Sequence, residues 1–188
     1  MDEYRSFEKT GSATVEERKS VFYGVAAPVR DEEEALFLLS AEKKKYPDAK
    51  HHVYAYRLRD RALTRFSDDR EPSGTAGKPL LDLLTRQDIT DAILIVTRYF
   101  GGTLLGTGGL VRCYTEAGQG AIADAGIACY RLRAFYSLSL SYGDYQKILP
   151  FLSSAGFRTE STDFHADVRL CGSVFAGEGA LFERKISE

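Results

Sequence analysis

The spacing of apolar residues along the first part of the chain predicts strands followed by a capped helix. Two extended segments are predicted within residues 12–29, and Pro28 is expected to close the second of them. Asp31 is a favourable N-cap for the next segment, in which three glutamates come first and three lysines come last. This charge order predicts a helix that ends before Pro47.

The next segments predict a central strand beside a long polar loop. Residues 52–58 alternate as a strand does, whereas residues 59–78 are polar and rich in turn residues. A short amphipathic helix is predicted around residues 80–84. Residues 92–100 form the most apolar segment and are expected to be the central strand of a sheet.

A second group of elements begins near Ala134. The pattern predicts a strand over residues 135–142, a helix capped by Asp144 and stopped by Gly156, strands over residues 157–164 and 166–171, and a helix over residues 180–185. This βαββα order predicts a ferredoxin-like unit that lacks its last strand and has a bare sheet edge. The sequence therefore predicts two α+β domains, residues 1–133 and 134–188.

Composition favours a cytoplasmic protein over a secreted or membrane protein. No run approaches the roughly 18 apolar residues that a membrane span needs, and the acidic N-terminus is unlike a signal peptide. Cys113, Cys129 and Cys171 are widely spaced, as is typical of reduced thiols.

Charge limits the ways in which the chain can bind nucleic acid. The net charge is −2, with 20 basic and 20 acidic residues up to Arg133 and 5 and 7 after it. Nucleic-acid binders often carry a basic footprint over the whole domain. RNA binding by this chain would therefore need a local basic patch.

The run of glycines over residues 101–109 is the strongest chemical signal. Glycine permits positive φ and a close approach by a ligand, and the N-terminus of the helix predicted over residues 110–124 would suit phosphate or carboxylate. Gly126 is the expected C-cap of that helix. The run lacks the lysine of a P-loop and the acidic residue of a dinucleotide fingerprint. A compact turn with close helix–sheet packing is the alternative interpretation.

The polar loop carries a second candidate site. Three carboxylates, those of Asp68, Asp69 and Glu71, lie within four residues and are able to hold Mg²⁺ or orient a general base. The alternative is an ordinary surface loop, in which Arg70 and Lys78 neutralise the acids and Thr75 caps the following helix. His51 and His52 are adjacent on a strand, so they point to opposite faces and do not favour a shared metal.

Four motifs resemble those of the YigZ/Impact family. RYFGGTLLGTGGLVRCY (residues 98–114) is similar to the family pattern RYFGGxxLGxGGLxRAY, and SDDREPSGTAGKP (residues 67–79) to DDGEPxGTAGxP, with Arg70 where the family usually has glycine. AKHHVYAYR (residues 49–57) resembles AxHxxxAYR, and residues 19–22 resemble the KSxF start. The resemblance covers about residues 12–130.

The resemblance implies a fold and a function. The first domain would share its fold with a small-subunit ribosomal protein domain, domain IV of elongation factor G and the GHMP kinases. The second domain would resemble the ferredoxin-like domain V of elongation factor G. Eukaryotic Impact regulates translation by competing for the activator of an amino-acid-starvation kinase, which implies a link to the stress response. RNA or ribosome binding has been proposed for bacterial members.

The same resemblance implies a binding surface without a metal or cofactor. Matched by motif, its residues are His51, Asp68, Asp69, Glu71, Gly74, Thr75, Arg98, Tyr99, Gly101, Gly102, Gly106, Gly108, Gly109 and Arg112. Lys78, which flanks these motifs, is added as a basic residue of the same surface. The favoured hypothesis is a translation-linked regulatory protein that binds RNA, the ribosome or a translation-regulating protein, with Arg98, Arg112 and Lys78 contacting phosphates. The alternative is a small Mg²⁺-dependent enzyme that acts on a phosphorylated metabolite or nucleotide.

Overall fold

The structure, a computed structural model, describes residues 3–186. It divides into two compact units, one of Tyr4–Cys129 and one of residues 130–186 together with Glu3. The division lies after Cys129, whereas the sequence pattern placed it after Arg133. Both units combine helices with strands, which confirms the α+β class.

The elements over residues 3–131 are seven strands, three α-helices and a 3₁₀ turn. They are β1 (Glu3–Phe7), β2 (Gly11–Glu17), β3 (Ser20–Pro28), α1 (Glu32–Lys45), β4 (His51–Arg57), a 3₁₀ turn (Asp60–Ala62), β5 (Thr64–Ser67), α2 (Gly77–Arg86), β6 (Ala92–Tyr99), α3 (Gly106–Ala125) and β7 (Ile127–Arg131). Strands β1 and β7 form a two-stranded sheet. The sequence pattern gave neither of these two strands.

A five-stranded antiparallel sheet with the order β2-β3-β6-β4-β5 is the centre of the first unit. Helices α2 and α3 pack on one face, where Phe22, Leu94 and Val96 lie in the core. Helix α1 packs on the other face, over Ile93 and Ile95. Strand β6 is apolar throughout because helices cover both of its faces, which confirms the prediction of a central strand.

Local capping rules hold at the ends of α1 and α3. The Asp31 carboxylate accepts a hydrogen bond of 2.8 Å from the amide of Glu34, as predicted for an N-cap. Gly126 ends α3 with φ of 70° and donates its amide to the carbonyl of Ile122. No helix within residues 3–186 is long and apolar enough to cross a membrane.

Two boundaries differ from the predicted ones. The long polar segment contains strand β5, whose mostly exposed residues pair with the edge of β4 and so show no apolar alternation. Helix α3 begins at Gly106 instead of near Leu110, so Gly106, Gly108 and Gly109 belong to its first turn. Glycine has a low helix propensity, which made this turn read as a loop.

The second unit is built from β8 (Arg133–Leu140), α4 (Tyr142–Ser154), β9 (Arg158–Phe164), β10 (Val168–Phe175) and α5 (Gly179–Ile186). Strand β10 lies between β8 and β9 and is antiparallel to both, which makes β8-α4-β9 a split βαβ unit. A core that includes Leu152, Leu170 and Phe182 lies under the helices. No strand follows α5 within the described residues.

Helix α4 corrects one capping prediction. Its N-cap is Ser141, whose hydroxyl accepts the amide hydrogen of Asp144 at 3.2 Å, so Asp144 lies in the first turn. A serine one turn upstream serves as well as an aspartate in that position. Gly156, with φ of 64°, follows the C-cap Ala155, as expected for a helix stop.

Candidate functional site

A buried ion pair joins the two motif segments. Glu71 comes from the loop of residues 67–76, here called the acidic loop, and Arg98 comes from the end of β6. Arg98 Nη1 donates to Glu71 Oε1 at 2.6 Å, and the two side chains are only 6% and 4% exposed. The hydroxyl of Tyr114 on α3 donates to the same oxygen at 2.8 Å. One carboxylate therefore ties the acidic loop to both the sheet and α3.

Aromatic rings surround this pair. Tyr114 packs edge-on against Phe22, with ring centroids 5.1 Å apart. Burial, and then the nearby Glu71 carboxylate, raises the pKa of Tyr114 far above its ordinary value, so its hydroxyl stays a donor. The Arg98 guanidinium lies 5.3 Å from the Phe22 ring and 5.6 Å from the Phe100 ring.

The burial of Arg98 corrects its predicted role as a surface contact for phosphate. Its guanidinium faces Glu71 inside the fold, and its Nε is buried without a hydrogen-bond partner among the described residues. Removing such a group from its partner to meet a ligand would leave Glu71 as an uncompensated buried charge. Arg98 therefore positions the acidic loop.

His51 anchors the acidic loop through its ring, and His52 anchors it through its backbone amide. His51 Nδ1 donates to the carbonyl of Asp69 at 2.8 Å, and its Nε2 lies 3.7 Å from Glu71 Oε1. The amide of His52 donates to the Asp69 carboxylate at 2.6 Å, while its ring lies 3.1 Å from the Thr97 hydroxyl on the other face. Burial lowers the pKa of His52, an effect that the Asp69 charge partly offsets.

Asp68, nine residues before the start of α2, caps that helix with its side chain. Its carboxylate accepts hydrogen bonds from the amides of Gly74 at 2.9 Å, Ala76 at 3.1 Å and Gly77 at 2.8 Å. The prediction that Thr75 caps this helix is wrong, because its hydroxyl donates to the carbonyl of Pro72 at 2.7 Å. The acidic loop is thus closed on itself by the carboxylate of its second residue, Asp68.

The three carboxylates of the acidic loop do not converge on one point. Asp68 serves the α2 amides, Asp69 serves the amide of His52, and Glu71 serves Arg98 and Tyr114. Within residues 3–186 no group of three His, Cys, Asp or Glu side chains is arranged to hold a metal ion. The donor set of this loop therefore does not fit a Mg²⁺ site.

Arg70 occupies a backbone conformation that favours glycine. Asp69 and Arg70 have φ of 42° and 71°, both in the left-handed region. The guanidinium of Arg70 donates to the carbonyl of Lys50 at 3.1 Å. The loop therefore keeps the turn for which glycine is the usual residue, at a conformational cost of about 1 kcal/mol or more for an L side chain.

Replacing Arg70 with glycine is expected to stabilise the protein. Relief of the left-handed conformation should outweigh the exposed hydrogen bond to Lys50 and raise the free energy of unfolding by about 0.5–1 kcal/mol. Urea denaturation followed by circular dichroism measures the change. Arg65→Gly on β5 is the control and should be destabilising, because strands disfavour glycine. A loss of stability in Arg70→Gly would show that the arginine contacts dominate.

Gly101 packs against the turn between β2 and β3. Its amide donates to the buried Ser20 hydroxyl at 3.0 Å. A Cβ atom at Gly101 would lie 2.1 Å from the carbonyl carbon of Lys19 and 2.5 Å from the carbonyl oxygen of Arg18. Gly102, in contrast, has φ of 84° and open space around it. Gly101 thus allows the close approach of two backbone segments, and Gly102 allows a positive φ that turns the chain.

The N-terminus of α3 is uncapped. Its N-cap residue Leu105 supplies no side-chain hydrogen bond, and no acidic residue lies in its first turn. Helices α1 and α4, in contrast, each have a side-chain cap and an acidic residue in the first turn, and the amides at the start of α2 bind the Asp68 carboxylate. A Cβ at Gly108 would meet nothing within 4 Å, and Gly108 is not among the positive-φ glycines. Neither backbone strain nor internal packing therefore requires glycine at position 108.

Basic side chains stand beside this segment. Arg18 and Lys19 are exposed at the turn that contacts Gly101, and Arg112 is exposed on α3. Glu17 links them, since its carboxylate lies 3.0 Å from Arg112 Nη2 and 3.8 Å from Arg18 Nε. We call Arg18, Lys19 and Arg112 the basic rim. It carries three positive charges, of which those of Arg18 and Arg112 share the Glu17 carboxylate.

The remaining predicted residues lie elsewhere in the first unit. Lys78 forms an ion pair with Asp82 one turn along α2. Tyr99 packs edge-on against Tyr23 and Tyr46. Cys113 on α3 is buried, and burial raises the pKa of its thiol.

The structure thus sorts the motif residues into a buried group and an exposed group. Glu71 and Arg98 meet in the interior with the half-buried His51 and Asp69 beside them. In contrast, the exposed end of α3 is bordered by Gly102, Gly106, Gly108, Gly109 and Arg112. Sequence reasoning missed Tyr114, Ser20, Arg18 and Lys19. The matched strings at residues 19–22 and 98–114 include Lys19, Ser20 and Tyr114, but a string does not show what each side chain contacts.

Comparison with known proteins matches most of the chain to one family. The Impact N-terminal domain matches residues 18–122. IMPACT family member YigZ of Escherichia coli is 33% identical over 174 residues, which cover 91% of this chain and 85% of that protein. Protein IMPACT of Xenopus laevis is 36% identical over 97 residues, which cover 50% of this chain and 31% of that protein.

A solved structure extends the match to the fold. The crystal structure of a protein described as hypothetical superposes with a TM-score of 0.69 at 30% sequence identity, covering 100% of this chain and 92% of that one. The matched domain includes the acidic loop, the Glu71–Arg98 pair and the glycine-rich start of α3. On its motifs, its sequence relatives and its fold, the chain belongs to the Impact family.

Proposed function

We propose that this protein is a translation-linked regulatory protein that binds RNA phosphates at the N-terminal end of α3. Membership of the Impact family supports the link to translation, as the resemblance of its motifs implied. The single observation that carries the proposal is the uncapped, glycine-lined start of α3, where no acidic side chain or cap competes for the free amides.

Helix geometry gives this end its affinity for anions. The first amides of a helix have no partner within the helix, and the aligned peptide dipoles place partial positive charge there. Gly106 and Gly108 leave open space above these amides, so a phosphate group is able to approach the backbone. Phosphate or a backbone phosphodiester is the ligand that such an arrangement recognises.

The basic rim supplies the remaining attraction. Arg18, Lys19 and Arg112 give a local positive surface on a chain whose net charge is −2. Contacts of this kind position a nucleic acid without reading its bases. Binding should therefore be insensitive to sequence, and the slope of log affinity against log salt should be shallow, corresponding to about 2–4 phosphate contacts.

A catalytic role for the acidic loop has less support. Each of its three carboxylates already accepts hydrogen bonds from the protein, and Glu71 is buried in an ion pair. Binding Mg²⁺ with these groups would require breaking the contacts that hold the loop. We therefore favour a binding protein over an enzyme that acts on a phosphorylated metabolite.

Gly108→Asp tests the proposal without threatening the fold. An aspartate in the first turn complements the helix dipole and should leave stability unchanged or raise it by about 0.3–1 kcal/mol. The same carboxylate repels phosphate, so affinity for a labelled single-stranded RNA should fall at least about tenfold. Fluorescence anisotropy titrations at several salt concentrations measure the effect. Gln119→Glu, which adds the same charge at an exposed site further along α3, is the matched control.

The two variants separate local binding from general charge effects. Equal losses in both would show that only net charge matters, and no loss in Gly108→Asp would place the RNA site elsewhere. If the unaltered protein binds no RNA even at low salt, the proposal of RNA binding fails. A translation-regulating protein would then be the partner to seek.

A further inference from the structure

Strand β8 forms an unprotected edge of the sheet in the second unit. It pairs with β10 on one side, and no other strand within residues 3–186 pairs with its outer side. An edge strand presents a row of unpaired amides and carbonyls that another strand is able to use. This edge is eight residues long, which exceeds the mean strand length in proteins.

The opposite edge of the same sheet, β9, is protected in the usual way. Its sequence, RTESTDF, carries three charged residues, Arg158, Glu160 and Asp163. Strand β8, RAFYSLSL, has one charge, Arg133 at its start, and displays Phe135 with 68% of its surface exposed. Charged side chains commonly protect an exposed edge from pairing with another strand. The near absence of charge on β8 therefore indicates that another strand covers this edge.

We propose that β8 pairs antiparallel with β8 of a second copy of this chain, about a twofold axis through Ser137. A strand paired with itself in this way forms an isologous interface, in which each contact occurs twice. With the axis at Ser137, Phe135 lies opposite Ser139 of the second copy, and Tyr136 lies opposite Leu138. Residues directly opposite each other in a pair share a face.

This register continues the apolar layer of each sheet. Tyr136 and Leu138 pack against the core under the helices of the second unit. Pairing them across the axis joins the two cores along the sheet, and Ala134 meets Leu140 of the other copy in the same layer. A shift by one residue would place apolar side chains opposite serines, so the alternation excludes such registers.

Sedimentation equilibrium of the full chain tests the interface. We expect a concentration-dependent dimer, and Ser137→Lys should weaken it at least about tenfold because two lysines would face each other on the axis. Ser139→Lys, which would face Phe135 of the other copy, is a second variant in case the first does not fold. Ser161→Lys on the exposed edge strand β9 is the matched control and should leave the dimer unchanged.

Each outcome decides the proposal. Loss of the dimer in the β8 variants, with thermal unfolding unchanged and the β9 control intact, supports it. A chain that stays monomeric at every concentration overturns it. A dimer that survives both β8 lysines, or that the β9 lysine disrupts equally, also overturns it, because the contact would then lie elsewhere.

Discussion

Glu71→Ala is expected to lower the free energy of unfolding by about 3–5 kcal/mol, as is usual when one partner of a buried ion pair is removed. The variant leaves the Arg98 guanidinium charged in an interior where it is 6% exposed, and it removes the acceptor of the Tyr114 hydroxyl. Urea denaturation at neutral pH, followed by circular dichroism, measures the loss.

A surface pair of the same kind is the control for this variant. Asp82→Ala removes the partner of Lys78 on α2, where both side chains are substantially exposed, and should cost no more than about 1 kcal/mol. Adding Arg98→Met to Glu71→Ala should recover part of the loss, because no uncompensated charge remains. Equal stability of Glu71→Ala and the unaltered protein would show that Arg98 finds water or another acceptor.

Gly101→Ala is the second variant with a large expected effect, a loss of about 3 kcal/mol or more from overpacking. The added methyl group would lie 2.1 Å from the Lys19 backbone and 2.2 Å from the amide nitrogen of Ser20. Backbone atoms on both sides cannot rotate away as a side chain does, so the turn between β2 and β3 must move. Thermal unfolding and urea denaturation measure the loss.

Gly108→Ala is the matched substitution in the same motif. It has open space and a place within α3, so it should raise stability by up to about 1 kcal/mol through helix propensity. Opposite signs for the two alanines would separate a packing glycine from one that the fold does not need. Similar small effects at both positions would mean that the hairpin turn accommodates a side chain.

The sequence pattern predicted the helix caps and strands that are determined by residues close together in the chain. Asp31 and Gly126 are caps because each satisfies backbone groups within one turn, and neighbouring residues in the sequence reveal this. Strand β6 was predictable because covering both faces leaves a continuous apolar run. The edge strand β5 was not, since it has no buried face to impose an alternation.

The contacts of the candidate site join residues that are far apart in the sequence, so a local pattern does not reveal them. Glu71 and Arg98 are 27 residues apart, and Glu71 and Tyr114 are 43 apart. Read alone, a glutamate among aspartates suggests metal binding, and an arginine beside glycines suggests phosphate. The antiparallel pairing of β4 with β6 places His51 opposite Arg98 and brings the acidic loop over the end of β6. Glu71 and Arg98 then meet inside the fold.

The Asp68 cap couples the acidic loop to α2. Three amides, those of Gly74, Ala76 and Gly77, depend on one carboxylate that precedes them in the chain. The loop cannot swing out without exposing the start of the helix, and the first turn of the helix cannot fray without releasing the loop. The two should therefore open as one cooperative unit in native-state fluctuations, although the tip at residues 72–74 is exposed.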